Sequence, residues 1–323
     1  MLKAHSLKVE FGNEKVDIPY FKIKGHKPGP SIFLSGGMHG DEINGMAVIE
    51  AFISLALDTK LADHLRGEIT IIPLLNPSGF AHMQREVFED GIDLNRSFGL
   101  EKVESLAHQM AADLTEKIFT HCEFGMDFHD AGKRSVLLPH SRIHKNEACG
   151  STRKMGQILG TKIIVEREGH ENMMAIYLNQ KHQIPVLTVE TGGAQILFPD
   201  FIETALQGIQ NILISKDMMD GEIKLPKEQY FLHERYGVKI DTAAEIKFST
   251  KLGDNVHAGE VIGKIYHPQS GRHESITSPM CGIIFSQWQR NQVPAEEIIY
   301  SILETEKCHV KRSTLDKFEK VEM

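Results

Sequence analysis

The sequence predicts an α/β fold with a largely parallel or mixed sheet, followed by a small all-β domain. Three observations predict it. Short apolar runs bounded by Gly and Pro read as buried strands, and helix-length stretches alternate with them, as in a sheet layered with helices. Near residue 220 the texture changes, and only short β-like runs with Gly turns follow.

Taken in order, the N-terminal residues alternate in a strand-like way, with no apolar signal core. Residues 31–35 (SIFLS) lie between Gly29-Pro30 and Gly36-Gly37 and suit a buried strand. Residues 41–57 are almost entirely apolar and predict a buried helix. Residues 68–75 (EITIIPLL) form a second strand ending at Asn76-Pro77. Residues 101–119 predict an amphipathic helix, with Val103, Leu106, Ala107, Met110, Ala111, Leu114 and Ile118 along one stripe. Residues 124–128, 162–165 and 185–190 read as further strands, and 173–181 and 201–215 as helices. Asp220-Gly221 and Pro226 mark the boundary, giving domains 1–220 and 221–323. The second carries β-like runs at 244–248, 261–266 and 282–285, and its charged tail after Glu304 is expected to be partly mobile.

Composition excludes several classes. The chain has 323 residues, 41% hydrophobic and 25% charged, which is ordinary for a globular protein with room for a sizeable core. Its 36 Lys+Arg and 44 Asp+Glu give a net charge of −8, the wrong sign for a nucleic-acid binder. The four cysteines, Cys122, Cys149, Cys281 and Cys308, include no C-x-x-C pair, so a thiolate zinc ribbon and a thioredoxin-type pair are absent. No apolar run reaches the ~20 residues that span a bilayer. A reduced, cytoplasmic protein with no membrane partner is the expectation, and a homo-oligomer is left open.

The chemistry gathers where strands end. Gly36-Gly37-Met38-His39-Gly40-Asp41-Glu42 joins the 31–35 strand to the following helix, at the sheet edge where open α/β proteins bind ligands. His39 and Glu42, three apart, supply an imidazole nitrogen and a carboxylate oxygen, both suitable for zinc. The same pair also suits an ordinary helix start with acids complementing the dipole. Met126-Asp127-Phe128-His129-Asp130 ends another strand, and His129 would complete a His₂Glu set with a fourth position left for water. Asn76-Pro77-Ser78-Gly79, Arg85 and Asp93-Leu94-Asn95-Arg96 follow the second strand. There Asn95 and Arg96 could grip a substrate carboxylate, and Arg85 could stabilise an oxyanion. A simple Asp93–Arg96 surface pair is the plainer alternative, as is Asp93 anchoring Arg96 or a histidine ligand. Residues 185–190 (PVLTVE) end at Glu190, placed to move protons, or else to cap a helix or pair with a cation.

Together the segments 36–45, 76–96, 127–129 and 188–193 resemble, in order and spacing, the succinylglutamate desuccinylase/aspartoacylase family, a branch of the zinc carboxypeptidase-like hydrolases. The resemblance implies a zinc carboxypeptidase-like mixed, mostly parallel sheet between helices and a C-terminal β domain. It implies one zinc ion per chain held by His39, Glu42 and His129, Glu190 as catalytic acid/base, and Arg85, Asn95 and Arg96 as the clamp on substrate and transition state. Arg85 stands further before Asp93-Leu94-Asn95-Arg96 than the corresponding family arginine. Arg142, Arg167 and Tyr177 are candidates for a further substrate contact. The expected activity is zinc-dependent hydrolysis of the amide of a small N-acyl amino acid. The rivals are a carboxypeptidase or cell-wall peptide amidase on the same centre, and a zinc-containing binding protein without catalysis.

The β domain, with Gly253-Asp254-Asn255-Val256-His257-Ala258-Gly259-Glu260 and Ser278-Pro279-Met280-Cys281-Gly282, resembles the barrel-sandwich fold of lipoyl and biotinyl carriers. Lys264 sits inside an apolar strand instead of at a hairpin tip, which argues against a carrier role. His257, His267 and His273 are expected at its surface. The sequence has no H-E-x-x-H, no G-x-S-x-G and no P-loop.

Overall fold

A computed structural model describes residues 2–147, 150–232 and 235–304, which divide into two compact units. The first takes in residues up to Lys133 and from Pro139 to Phe231; the second takes in Arg134–Leu138 and the chain from Leu232 onward. The charged tail beyond Glu304 lies outside the described residues.

In the first unit the strands are β1 (Leu2–Phe11), β2 (Glu14–Lys24), β3 (Lys27–Gly36), β4 (Arg66–Ile72), β5 (Phe124–His129), β6 (Ser135–His144, whose first four residues belong to the second unit), β7 (Ile163–Arg167) and β8 (Val186–Gly193). The helices are α1 (Ile43–Asp58), α2 (Pro77–Ala81), α3 (Leu106–Lys117), α4 (Ser151–Leu159), α5 (Met174–His182) and α6 (Pro199–Ser215). The sheet order is β1-β2-β4-β3-β5-β8-β6, with β7 beyond β6. Its centre is parallel: β3 pairs with β4 and β5, β5 with β8, and β6 with β7. The β1–β2 hairpin and the β2–β4 pair are antiparallel, so the sheet is mixed.

Alternation along the central strands divides the core into two layers. Ile32, Leu34, Met126, Phe128, Leu187 and Val189 face α1, α4 and α6, which contribute Val48, Phe52, Met155, Leu159, Ile209 and Ile212. Phe33 and Val186 face the other way, onto α3 and α5 with Leu106, Met110, Leu114, Met174 and Leu178. Within this second face the strand ends turn polar: Ser35, Asp127, His129 and Glu190 are all buried there. The α1 helix lies tight against β5 at Gly45, where a Cβ would stand 2.2 Å from the Phe128 carbonyl oxygen.

The predicted strands and helices of this unit are present, with shifted ends. The helix expected over 101–119 starts only at Leu106, capped by the Ser105 hydroxyl, which accepts from His108 N; Val103 lies outside the stripe and is exposed. Strand β6 and helix α4 were not foreseen.

The second unit holds β10 (Arg235–Ile240), β11 (Ala244–Phe248), β12 (Asn255–Val256), β13 (Val261–His267), β14 (Arg272–Thr277), β15 (Gly282–Trp288), β16 (Gln292–Val293) and β17 (Glu297–Glu304); the short β9 (Tyr230–Leu232) precedes them and pairs with β7. β14-β13-β11-β16 form an antiparallel sheet, while β17 lies between β15 and β10. Val238, Ile246, Ile262, Ile284, Trp288 and Tyr300 fill the core of this unit. Lys264 lies inside β13 as expected, with its side chain exposed. His257 and His273 are exposed, but His267 is not: it is buried, with Nδ1 at 3.1 Å from Thr242 Oγ1 and Nε2 at 2.8 Å from Glu274. Its place at the end of β13 turns it inward, against the expectation of a surface residue. No helix among the described residues is long and apolar enough to cross a membrane.

Candidate metal centre

His39 and Glu42 lie on the turn between β3 and α1, and His129 ends β5, the next strand in the sheet. All three side chains are buried, and one ligand atom from each lies within 4.8 Å of the others. Glu42 is the N-cap residue of α1, yet its carboxylate makes no cap bond. Instead its Oε1 is 2.6 Å from His39 Nδ1 and its Oε2 is 2.8 Å from His129 Nδ1. The far ring nitrogens are held by carboxylates as well. His129 Nε2 is 2.7 Å from Asp127, and His39 Nε2 is 3.2 Å from Asp93. Asp127 is fixed in turn by the Ser35 hydroxyl, which donates to it over 2.7 Å. A carboxylate on one imidazole nitrogen, leaving the other facing a common point, is the arrangement that orients metal-binding histidines. A buried set of two imidazoles and one carboxylate fits zinc.

The charges are strongly coupled. Burial pushes the two imidazoles down, but Glu42, with Asp93 on His39 and Asp127 on His129, outweighs it and raises both. Burial likewise works against the charged Glu42, and the two histidines outweigh it, holding it well below the usual carboxylate range. Asp130 goes the other way, pushed up to about 7 by burial and by Glu42, although Asn44 N and Nδ2 donate to it at 2.9 Å and Gly132 N at 2.7 Å.

Around this centre the strand-end motifs take up distinct places. The Asn76 side chain caps α2, accepting from Gly79 N, and Gly40 packs so closely on that turn that a Cβ would come 1.9 Å from the Gly79 carbonyl carbon. Asp93 accepts from Asn95 N at 2.8 Å and from Arg85 Nε and Nη2 at 3.1 and 3.0 Å. Burial works against Arg85, but Asp93 and Glu42 keep its pKa raised; its Nη1 is 3.5 Å from Glu42 Oε1. Arg85 is thus brought to the His39–Glu42–His129 cluster and Asp93 joins it to His39, rather than pairing with Arg96 on the surface. Asn95 is buried, and its Oδ1 accepts from Met174 N at 3.0 Å. Arg96 is exposed, its Nη1 donating to the Asn95 carbonyl.

Glu190 is the register partner of His129 across β5 and β8, and is buried. Its Oε1 is 3.2 Å from Arg142 Nη1. Of the three candidates for a further contact, Arg142 therefore lies beside Glu190. Arg167 ends β7 next to β6, and the Tyr177 hydroxyl is 3.4 Å from His182 Nε2. Sequence reasoning gave no role to Asp130, Ser35 or His144. The i, i+2 placement of Asp127 and His129 on one strand was the available signal for that pair.

Comparison with known proteins shows the family and the fold. Residues 28–215, more than half of the chain, match the succinylglutamate desuccinylase/aspartoacylase catalytic domain. The chain is 25% identical over 277 residues to an N-alpha-acetyl-L-2,4-diaminobutyric acid deacetylase of Halomonas elongata, covering 80% of this chain and 78% of the relative. In fold it is similar to the product-bound ectoine utilization protein EutE (DoeB) of Ruegeria pomeroyi, with TM-score 0.81 at 20% identity over 94% of this chain and 95% of the other. It is also similar to a succinylglutamate desuccinylase/aspartoacylase of Rhodobacter sphaeroides, with TM-score 0.80 at 20% identity over 94% and 95% of the two chains. The chain belongs to the succinylglutamate desuccinylase/aspartoacylase family of deacylases.

Proposed function

We propose that this protein is a zinc-dependent amide hydrolase that removes the acyl group from a small N-acylated amino acid. The observation that carries the reading is the convergence of His39 Nδ1 and His129 Nδ1 on the two oxygens of Glu42, with the far nitrogens held by Asp93 and Asp127. These three residues would hold the zinc. Bound there, zinc supplies a Lewis acid and lowers the pKa of water towards ~7.

The rest of the reaction falls to side chains of the chain. Glu190, beside His129 on the next strand, accepts the proton of the attacking water and returns it to the amide nitrogen as the C–N bond breaks. The products are a free carboxylic acid and a free amine. Arg85, locked by Asp93 at the edge of the centre, donates to the oxygen that becomes negative in the tetrahedral stage. Arg96 is exposed and free to grip the carboxylate of the amino-acid half in two-pronged fashion. With Asn95 Oδ1 taken by Met174 N, the carboxamide NH₂ of Asn95 is the group left to assist it. The deacetylase activity named for the Halomonas relative is of this reaction class.

Metal analysis and an amine-release assay test the proposal. Glu190→Gln should lower kcat by about 10²–10⁴-fold while one zinc per chain remains. Near-normal kcat in that variant would sink the role given to Glu190. Turnover of peptides but of no acyl amino acid would favour a carboxypeptidase, and bound zinc without turnover on any amide would favour a binding protein.

A further inference from the structure

Helix α1 starts without a cap of its own. Its N-cap residue, Glu42, spends both carboxylate oxygens on His39 and His129, and the first turn holds no acidic residue. A helix start leaves backbone N–H groups without intrahelical partners, and an N-cap side chain normally accepts from the second or third of them. Here the acceptor comes from another strand. Asp130, which directly follows His129, puts Oδ2 2.9 Å from the N–H of Asn44, the second residue of α1. The same oxygen accepts from Asn44 Nδ2 at 2.9 Å, while Oδ1 accepts from Gly132 N at 2.7 Å. Asp130 is only 4% exposed and Asn44 is fully buried. The backbone N–H of Asp130 meets Glu42 itself, donating to Oε2 over 3.2 Å. Asn44 carries the clasp on to the connection that leaves β8. Its Nδ2 donates to the Ile196 carbonyl at 3.0 Å and its Oδ1 accepts from Phe198 N at 3.2 Å. Gly192 packs so closely there that a Cβ would lie 2.9 Å from the Asn44 carboxamide carbon.

We propose that Asp130 is a positioning residue for Glu42: it caps α1 in place of Glu42 and so keeps the Glu42 carboxylate on the two imidazoles. The inference rests on the metal reading above, in which Glu42 is a zinc ligand. A glutamate at an N-cap stands beside open N–H donors and the positive end of the helix, and both attract its oxygens. Filling the Asn44 N–H from outside removes that competing partner. Because Asp130 is joined to His129 by one peptide bond, a single residue holds the helix start that carries one ligand and the strand end that carries another. Asp93 and Asp127 act on imidazole ligands through their ring nitrogens. Asp130 acts instead on the carboxylate ligand, through the backbone that bears it.

The test compares full-length parent, Asp130→Ala, Asp130→Asn and Ser105→Ala, the last removing the cap of α3 instead. Zinc affinity is read by competition with a chelator. Asp130→Ala should weaken it about 10–100-fold. Asp130→Asn, which keeps one oxygen for Asn44, should recover most of that loss, and Ser105→Ala should show none. In a Glu42→Gln background the loss from Asp130→Ala should vanish, because a residue acting through Glu42 has nothing left to position. In the metal-free protein, hydrogen exchange at the Asn44 amide should quicken about tenfold in Asp130→Ala, relative to Phe52 further along the same helix. Should Asp130→Ala fail to fold, the shorter Asp130→Ser takes its place with the same expectations. Equal weakening in both Glu42 backgrounds, or an equal loss in Ser105→Ala, would mean that Asp130 only stabilises the fold and would overturn the inference. If the parent binds no zinc, the metal reading fails and the exchange ratio decides: quickened exchange at Asn44 supports the cap. An unchanged ratio overturns the cap whether or not zinc binds.

Discussion

The two ends of the polar face treat their charges in opposite ways. At the metal end every ring nitrogen of His39 and His129 has a carboxylate oxygen within 3.2 Å, and the chain of contacts runs on through Asp93 to Arg85 and through Asp127 to Ser35. At the other end, Arg142, His144 and Arg167 bury donors that meet nothing among the described residues. The same sheet builds both, so the contrast is one of composition: carboxylates are dense around His39 and His129, while among the described residues Arg142 forms an ion pair with Glu190 alone. A network that is complete by itself holds geometry. One that is incomplete carries uncompensated desolvation.

The largest effect expected from this contrast is on stability. Burial, with Arg142 and His129 adding to it, pushes the His144 imidazole down to about 3. The folded protein then keeps His144 neutral while the unfolded chain takes up a proton below about 6.5. Stability is therefore present above pH 6.5 and lost as pH falls from 6.5 towards 3, by at most about 5 kcal/mol. Urea midpoints from pH 8 down to 4 should show a shallower acid loss in His144→Phe than in the parent; equal slopes would mean that His144 is not held neutral.

Next in size is Arg85, which belongs to the complete network but keeps one edge open. Arg85→Ala should lower kcat by about 10²–10³-fold through loss of an oxyanion donor, with KM for the acyl amino acid little changed. A pure KM effect would make it a ground-state binder instead. Smallest is Asp127→Asn, which removes the charge behind His129 while keeping its shape. It should weaken zinc affinity about 10–100-fold, read by competition with a chelator. Unchanged affinity would show that His129 is oriented by packing alone.

How much of this was legible beforehand follows from the range of the interactions. His39, Glu42, His129 and Glu190 sit where apolar runs stop, and a strand end is a local signal. Asp93 was read as an anchor for Arg96 or a histidine ligand; that the histidine is His39 and that Arg85 joins them needed the fold, because the three come from separate turns. Strand β6 was missed because Pro139 and the polar His140, Ser141 and Arg142 interrupt its apolar character, and Pro argues against a strand interior. Arg142, named only as one candidate among three, found its partner Glu190 through sheet order, which no spacing along the chain encodes. Helix α4 went unseen because its inward stripe, Thr152, Met155, Gly156 and Leu159, is half non-aliphatic. His267 went wrong because a polar residue at a strand end looks exposed until its neighbours Thr242 and Glu274 are known.

The close approach of Gly45 to Phe128 bears on the spacing of the proposed site. Glu42 opens the helix that carries this glycine, and His129 directly follows the residue whose carbonyl it touches. The separation of Glu42 and His129 is therefore gauged by hard-sphere contact between a helix and a strand, and not by the charges behind them. For the zinc proposed there, fit and strength of holding would then be carried by different atoms. A substitution at Asp93 or Asp127 would loosen that ion without changing the gap that receives it.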